Sequence, residues 1–144
     1  MQKTTTNPSA FLDSLPGEAR ELMSRLDRVV SDTMKGHPRV LWVGKFWGGT
    51  DQTIIGYGNL STTNSRGKTV EWFMVGLALQ KNYVSLYVNA VDGGQYVAEK
   101  YAQQLGKVTV GKASISFHKF EDVNLPILKK VLRAARDQLD EGRS

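Results

Sequence analysis

The sequence of 144 residues contains no cysteine. This absence excludes disulfides, thiolate zinc sites, iron–sulfur clusters and cysteine nucleophiles, and it suits a reducing compartment. The chain also lacks a run of eighteen apolar residues, which a membrane-spanning helix would need. Its N-terminal residues show no apolar stretch typical of a signal peptide. We therefore expect a cytoplasmic protein with no membrane partner.

Acidic residues are fewer than basic ones, with 14 Asp and Glu against 19 Lys and Arg and a net charge of +5. The segments 1–35 and 120–144 each balance at five charges of either sign, so the whole excess lies within residues 36–119. The cations there are scattered and form no basic run, which is typical of a solvated surface. This pattern disfavours nucleic acid as a partner and leaves a small molecule or an anion open.

Hydrophobic periodicity and turn residues divide the chain into short elements. The N-terminal half is predicted to contain a short helix before Pro16, an amphipathic helix from Gly17 to Gly36, two short strands within 39–58 and a mobile polar loop over 58–68. A central strand over 69–79 and a second strand over 83–91 follow. The C-terminal part is predicted to contain a helix from Asp92 to Leu105, a strand over 114–117 and a closing helix capped by Asn124.

This order of elements predicts an α+β fold. We expect one domain over residues 9–141, in which amphipathic helices pack on a largely antiparallel sheet. Residues 1–8 are predicted to be a disordered N-terminal tail.

The segment "GKVTVGKAS" comes within one side chain of a phosphate-binding loop. Gly106, Gly111 and Lys112 fall in register, but Ala113 stands where the loop needs a hydroxyl to bind magnesium. Such a loop also joins a strand to a following helix, whereas here a predicted helix precedes the glycines and a predicted strand follows them. The segment is therefore interpreted as a helix stop and a connection into a strand.

Aromatic side chains and glycines crowd the segment from Leu41 to Gly58. Glycine allows a close approach of the backbone to another strand or to a ligand. Core packing explains this pattern, and so does a small-molecule or anion pocket with an aromatic wall and a single charge. If it is a pocket, the candidate ligand-binding residues are Trp42, Lys45, Trp47 and Tyr57.

No grouping of nucleophile, base and electrophilic stabiliser is evident in the sequence, and no cofactor motif. His118, Glu121 and Asp122 are the only local group of metal-ligand types, but acids before a helix are favoured there without any metal. We therefore assign no catalytic and no metal-binding residue. The expected function is binding of an unidentified ligand; an enzyme with dispersed active-site residues is an alternative.

Several blocks of the chain together resemble a known family. These are "FLDSLPGEARELMSRL", the hydrophobic hairpin "WFMVGLALQKNYVSLYVNAV" and "YAQQLGKVTVGKASISF" leading to "EDVNLPILKKVLRAA". They are similar to the YdhG-like domain of unknown function, which occurs in many bacteria. The resemblance runs from Phe11 to Ala135 and is most specific from Leu105 to Leu128. It implies a single α+β domain in which the near phosphate loop is a structural feature.

The resemblance implies little about activity, because most members of the family have no established one. One branch is described as frataxin-like, binding and delivering iron through clustered exposed carboxylates. This offers iron binding and delivery as a further alternative function. The present chain departs from that pattern, since its acids are dispersed and balanced by Lys or Arg.

We predict that the protein binds ferrous iron only weakly and nonspecifically. Arg20 and Arg25 interrupt the acids Glu18 and Glu21 on the helix that would have to form the acidic surface. Each such cation opposes the metal by about 1 to 4 kcal/mol at about 4 Å. Anaerobic calorimetry measures the affinity; a saturable micromolar site that Glu18→Gln with Glu21→Gln abolishes would instead favour the iron-delivery function.

Overall fold

The computed structural model describes residues 1–45, 50–63 and 65–142. The strands and helices are β1 (Gln2–Lys3), α1 (Pro8–Asp13), α2 (Gly17–Thr33), β2 (Arg39–Lys45), β3 (Asp51–Thr63), β4 (Thr69–Leu79), β5 (Val84–Val88), β6 (Val91–Asp92), β7 (Gln95–Tyr96), α3 (Val97–Lys100), β8 (Thr109–Val110), β9 (Ser114–Phe117) and α4 (Leu125–Glu141). Two short 3₁₀ helices cover Ala102–Gln104 and Phe120–Asp122.

Seven of the strands form one sheet in the order β1-β2-β3-β4-β5-β9-β8. Every pairing in it is antiparallel, and the first five strands are neighbours in the order of the chain. Strands β6 and β7 pair separately as a small hairpin. The structure thus confirms the predicted α+β domain with a largely antiparallel sheet.

The long helices α2 and α4 cover one face of the sheet. Their apolar sides form the main core with strand residues; its buried members include Met23, Leu26, Val30, Val75, Leu77, Leu86, Leu128, Val131 and Leu132. Helix α4 begins as predicted, because the Asn124 side chain accepts a hydrogen bond from the backbone N–H of Ile127 at 3.3 Å. Among the described residues, no helix is both long and apolar enough to cross a bilayer.

A carboxylate on α2 ties this helix to the sheet. Asp27 accepts hydrogen bonds from Nε and Nη2 of Arg39, both at 2.9 Å, and from the hydroxyl of Tyr57 at 2.7 Å. Arg39 also donates to Ser9 Oγ in α1 at 3.2 Å. Burial, followed by the nearby Asp27 carboxylate, raises the pKa of Tyr57 well above its usual value. One polar network therefore joins α1, α2, β2 and β3.

The segment 58–68, predicted to be a mobile loop, is largely a hairpin. β3 continues to Thr63 and pairs with β4, for example Ser61 with Glu71 and Thr63 with Thr69. We call residues 59–63 and 69–73 the arm. Most side chains of residues 59–63 are exposed, so this half of the arm lacks the apolar pattern that predicts a strand over 69–79. Backbone hydrogen bonds form this hairpin without that pattern.

The predicted helix from Asp92 to Leu105 is also wrong for its first half. Asp92 lies in β6, where its carboxylate accepts a hydrogen bond from Lys100 Nζ at 2.9 Å instead of capping a helix. Gly93 and Gly94 form the turn into β7. Only Val97–Lys100 is α-helical, and the 3₁₀ turn that follows it completes the apolar stripe.

The N-terminal residues differ from the predicted disordered tail over 1–8. Gln2 and Lys3 pair with Val43 and Trp42 of β2. The backbone N–H of Thr4 then donates to Leu41 O at 2.9 Å. A two-residue strand on a sheet edge gains main-chain hydrogen bonds with no side-chain pattern that a sequence could show.

The near phosphate loop follows a helical turn and leads into a strand, as predicted, although its residues Thr109–Val110 also form the short strand β8. Gly106 lies two residues after the 3₁₀ turn Ala102–Gln104, and Gly111 lies between β8 and β9. The backbone N–H of Gly111 donates to Ser114 O at 2.9 Å, which closes this hairpin. The chain therefore enters a strand, not a helix, after Lys112.

We predict that Asp27→Asn lowers the free energy of unfolding by about 2 kcal/mol, because it removes charge-assisted hydrogen bonds and leaves the half-buried Arg39 unpaired. Chemical denaturation measures this change. Asp32→Asn is the matched control on the same helix, since Asp32 is exposed. It should change stability by less than about 0.5 kcal/mol. Equal losses in the two variants would show that the network does not anchor α2.

A second prediction concerns the pH dependence of stability. The raised pKa of Tyr57 means that the folded protein keeps this proton where the unfolded chain loses it. The stabilisation is therefore complete below the unfolded pKa of about 10 and is lost as pH rises beyond it. The stability difference between the wild type and Tyr57→Phe should shrink from pH 9 to about pH 10.5, as measured by urea unfolding. A constant difference would contradict the assignment.

Candidate functional site

Of the four residues that the sequence nominates, the three that the structure describes do not share one wall. Trp42 is 4% exposed and lies on the face of the sheet away from the helices, whereas Tyr57 is 1% exposed in the main core. Lys45 is exposed at the end of β2. Trp47 lies outside the described residues. The register explains the separation: Trp42 pairs with Ile54, and Tyr57 is an odd number of residues further along β3.

A second, smaller core lies on the face that the helices leave uncovered. It contains the buried residues Trp42, Ile54, Phe73 and Ala78, with Trp72 packed against them. A Cβ atom on Gly56 would lie 2.6 Å from Trp42 Nε1, so only glycine lets this indole lie so close to β3. The glycine pattern therefore serves the packing of a side chain on a strand at this position.

The arm contributes to this second core. Trp72, in the arm, meets the Trp42 ring edge-on at a centroid distance of 5.5 Å and stacks on Phe73 at 4.4 Å. Glu71 pairs with Lys3 of β1 at 3.4 Å. These contacts hold the arm beside the N-terminal strand.

A cavity of about 560 Å³ lies between the arm and the body of the domain. One face of the arm supplies Leu60, Thr62, Val70 and Trp72, and the body supplies Met1, Lys45, Asn89, Val91 and Tyr96. We call this the arm cavity. Its volume falls within the range of small-molecule sites. Lys45, which the sequence nominated, thus lines a cavity with aromatic residues, although these are Trp72 and Tyr96.

The side chains that line the arm cavity are largely apolar, and one of them, that of Lys45, is charged. Val70 and Val91 are 40% and 42% exposed and are two of the four large apolar side chains that stand out on the described surface. The side chain of Lys45 makes no hydrogen bond or ion pair within the part of the chain that the structure describes. The Asn89 side chain already forms a hydrogen bond within the sheet, because Nδ2 donates to Phe73 O at 2.8 Å. This lining suits a ligand that has an apolar part and one anionic group.

Sequence reasoning missed Val70, Trp72 and Tyr96 as cavity residues. The first two lie on the predicted strand over 69–79, but the segment that pairs with them in the structure falls within the predicted loop over 58–68. The sequence therefore indicated no second strand beside them. The polar run "NLSTT" lies one short turn before "TVEWF", and this spacing is the signal that could have indicated a strand pair. Tyr96 is near neither segment in sequence, and no local pattern indicates it.

A second cavity, of about 550 Å³, is more polar. Lys107, Thr109, Ser116 and His118 line it together with Tyr83. His118 Nδ1 lies 2.8 Å from Asn82 O, so this nitrogen carries the proton and donates. Ser116 Oγ is hydrogen bonded to Ser85 Oγ at 3.0 Å. Across the described ranges, no hydrogen bond links His118 to a hydroxyl group.

The residues with metal-ligand chemistry near His118 are engaged elsewhere. Glu121 pairs with Arg25 at 3.4 Å, and Asp122 accepts a hydrogen bond from the backbone N–H of Lys119 at 3.0 Å. Within residues 1–45, 50–63 and 65–142, no group of three or more His, Asp or Glu side chains is placed to hold a metal ion.

Comparison of the chain with family models, with curated proteins and with solved structures gives no match.

Proposed function

We propose that the protein is a binding domain that takes a small amphipathic anion into the arm cavity. The observation that carries this proposal is the meeting of one cation, Lys45, with the exposed apolar side chains of Val70 and Val91 around one cavity. The absence of cysteine suits a cytoplasmic setting for this function.

Apolar contact supplies the affinity in this proposal. Val70 and Val91 stand in water in the free protein, and covering them with a ligand gains about 25 cal/mol for each Å² of apolar surface removed from water. Trp72 adds a flat aromatic surface, which favours a ring or an extended chain as the apolar part of the ligand.

Charge supplies the orientation. The ammonium group of Lys45 forms no ion pair with a described residue, so an anionic ligand group can lie beside it with no internal ion pair to break. A carboxylate or sulfonate would then lie beside Lys45 while its apolar part contacts the arm. Lys45 is exposed, so solvent reduces this electrostatic gain.

We predict that the aromatic sulfonate 8-anilinonaphthalene-1-sulfonate binds the native protein at one saturable site, and that Lys45→Met weakens this binding by about tenfold, or about 1.4 kcal/mol. Fluorescence titration measures the affinity. Lys81→Met is the matched control, because Lys81 is exposed in the β4–β5 turn, away from the cavity lining. Equal effects of the two substitutions would contradict the proposal.

A second pair of variants tests the apolar wall. Val70→Asp places a negative charge in the cavity and should weaken binding of the same sulfonate, whereas Thr69→Asp places that charge on the opposite side of β4. Both positions are exposed, so both variants should fold. If Thr69→Asp weakens binding as much as Val70→Asp does, the probe binds elsewhere.

A further inference from the structure

Helices α2 and α4 form a groove lined by cationic side chains on their outer side. Arg25 and Arg28 come from α2, and Lys129, Arg133 and Arg136 come from α4. Their spacings of three and four residues place each set on one side of its helix. The groove has a volume of about 370 Å³. We call it the basic groove.

Acidic side chains balance only part of this charge. Asp32 also lines the groove, Glu121 pairs with Arg25 at 3.4 Å, and Asp137 pairs with Arg136 at 3.1 Å. Five cations thus face three acids. The other three cations, which are Arg28, Lys129 and Arg133, form no hydrogen bond or ion pair with any described residue.

This arrangement does not stabilise the folded chain by itself. Cations that face each other across a groove repel, and Asp32 is a single acid that offsets only part of the repulsion among Arg28, Lys129 and Arg133. The same convergence raises the local concentration of anions. An anion bound between the two helices would remove the repulsion and neutralise several charges at once.

The floor of the groove holds one cation in place. The guanidinium carbon of Arg25 lies 3.9 Å from the ring centroid of Phe120, and Val29 completes the apolar floor. A guanidinium stacked on a ring loses less freedom when it binds. Its planar N–H groups match the paired oxygens of a phosphate.

We propose that the basic groove binds a small ligand that carries two or more phosphate groups. Its volume lies near the lower end of small-molecule sites. Glu121 and Asp137 stand beside its outer cations. A long nucleic-acid strand would need a basic stripe that continues past these acids, so a compact polyphosphate matches the charges better. This proposal does not depend on the arm cavity.

Calorimetry with inorganic tripolyphosphate tests the groove. The native protein should bind it at one saturable site at about 50 mM salt, and more weakly as salt rises. Arg28→Gln with Arg133→Gln should weaken binding at least about tenfold. The control, Lys81→Gln with Lys112→Gln, removes the same charge from two exposed turns and should keep most of the affinity.

A second matched pair uses neighbours on α4. Lys129→Gln should weaken tripolyphosphate binding, whereas Lys130→Gln should not, because Lys130 is exposed but does not line the groove. These single changes on an exposed helix surface keep the test decisive if the double arginine variant does not fold.

Three outcomes would overturn the proposal. They are no saturable binding of tripolyphosphate by the native protein, equal losses in groove and control variants, and groove-dependent binding of a single-stranded oligonucleotide with none of tripolyphosphate. In the supporting outcome, the double arginine variant also keeps its affinity for the aromatic sulfonate. That result would separate the two sites.

Discussion

The carboxylate of Asp27 lies between α2 and the sheet, and the arrangement of the helical layer depends on it. A half-buried carboxylate needs hydrogen-bond donors to offset its lost hydration, and here Arg39 and Tyr57 supply them. These two donors are direct partners in the pairing of β2 with β3. A slip of either strand by one residue would turn one donor to the other face, so the network links the register of the sheet to the position of α2.

The position of α2 in turn sets the place of α4. Both helices pack their apolar sides into one core, which leaves their charged sides next to each other at the surface. The basic groove is a consequence of this packing. On the opposite face, none of the described helices contributes to the second core, and Gly56 lets Trp42 lie close enough to β3 for the arm to share that core with it. The two proposed binding sites therefore lie on different layers of the domain.

The two sites also share a physical feature. In each, cations without a partner among the described residues line a concave surface, Lys45 in the arm cavity and Arg28, Lys129 and Arg133 in the basic groove. They differ in what surrounds the charge. Apolar side chains around a single lysine favour an amphipathic ligand, whereas several guanidinium groups favour multiple phosphates. This difference allows the two proposals to be tested separately.

Local patterns in the sequence predicted those helices and strands that bury one face in the core. The periodicity of α2 and α4, the cap at Asn124 and the alternation of β9 each report on one element and its exposure, so the α+β class followed from them. The same patterns separated the near phosphate loop from a true one, because the order of helix and strand is itself a local property. Lys45 was recognised as a charge beside aromatic residues.

Only the tertiary structure decided which residues meet. Residues 59–63 of the arm pair through their backbone, so their polar side chains carried no strand signal, and Trp72 on the neighbouring strand was not recognised as a cavity residue. Trp42 and Tyr57 were separated by the register of two strands, which no single segment encodes. The basic groove was hidden because residues 1–35 and 120–144 are each neutral when charge is counted along the chain. Charge acts through distance in space, and the packing of α2 on α4 brought the cations of both segments together.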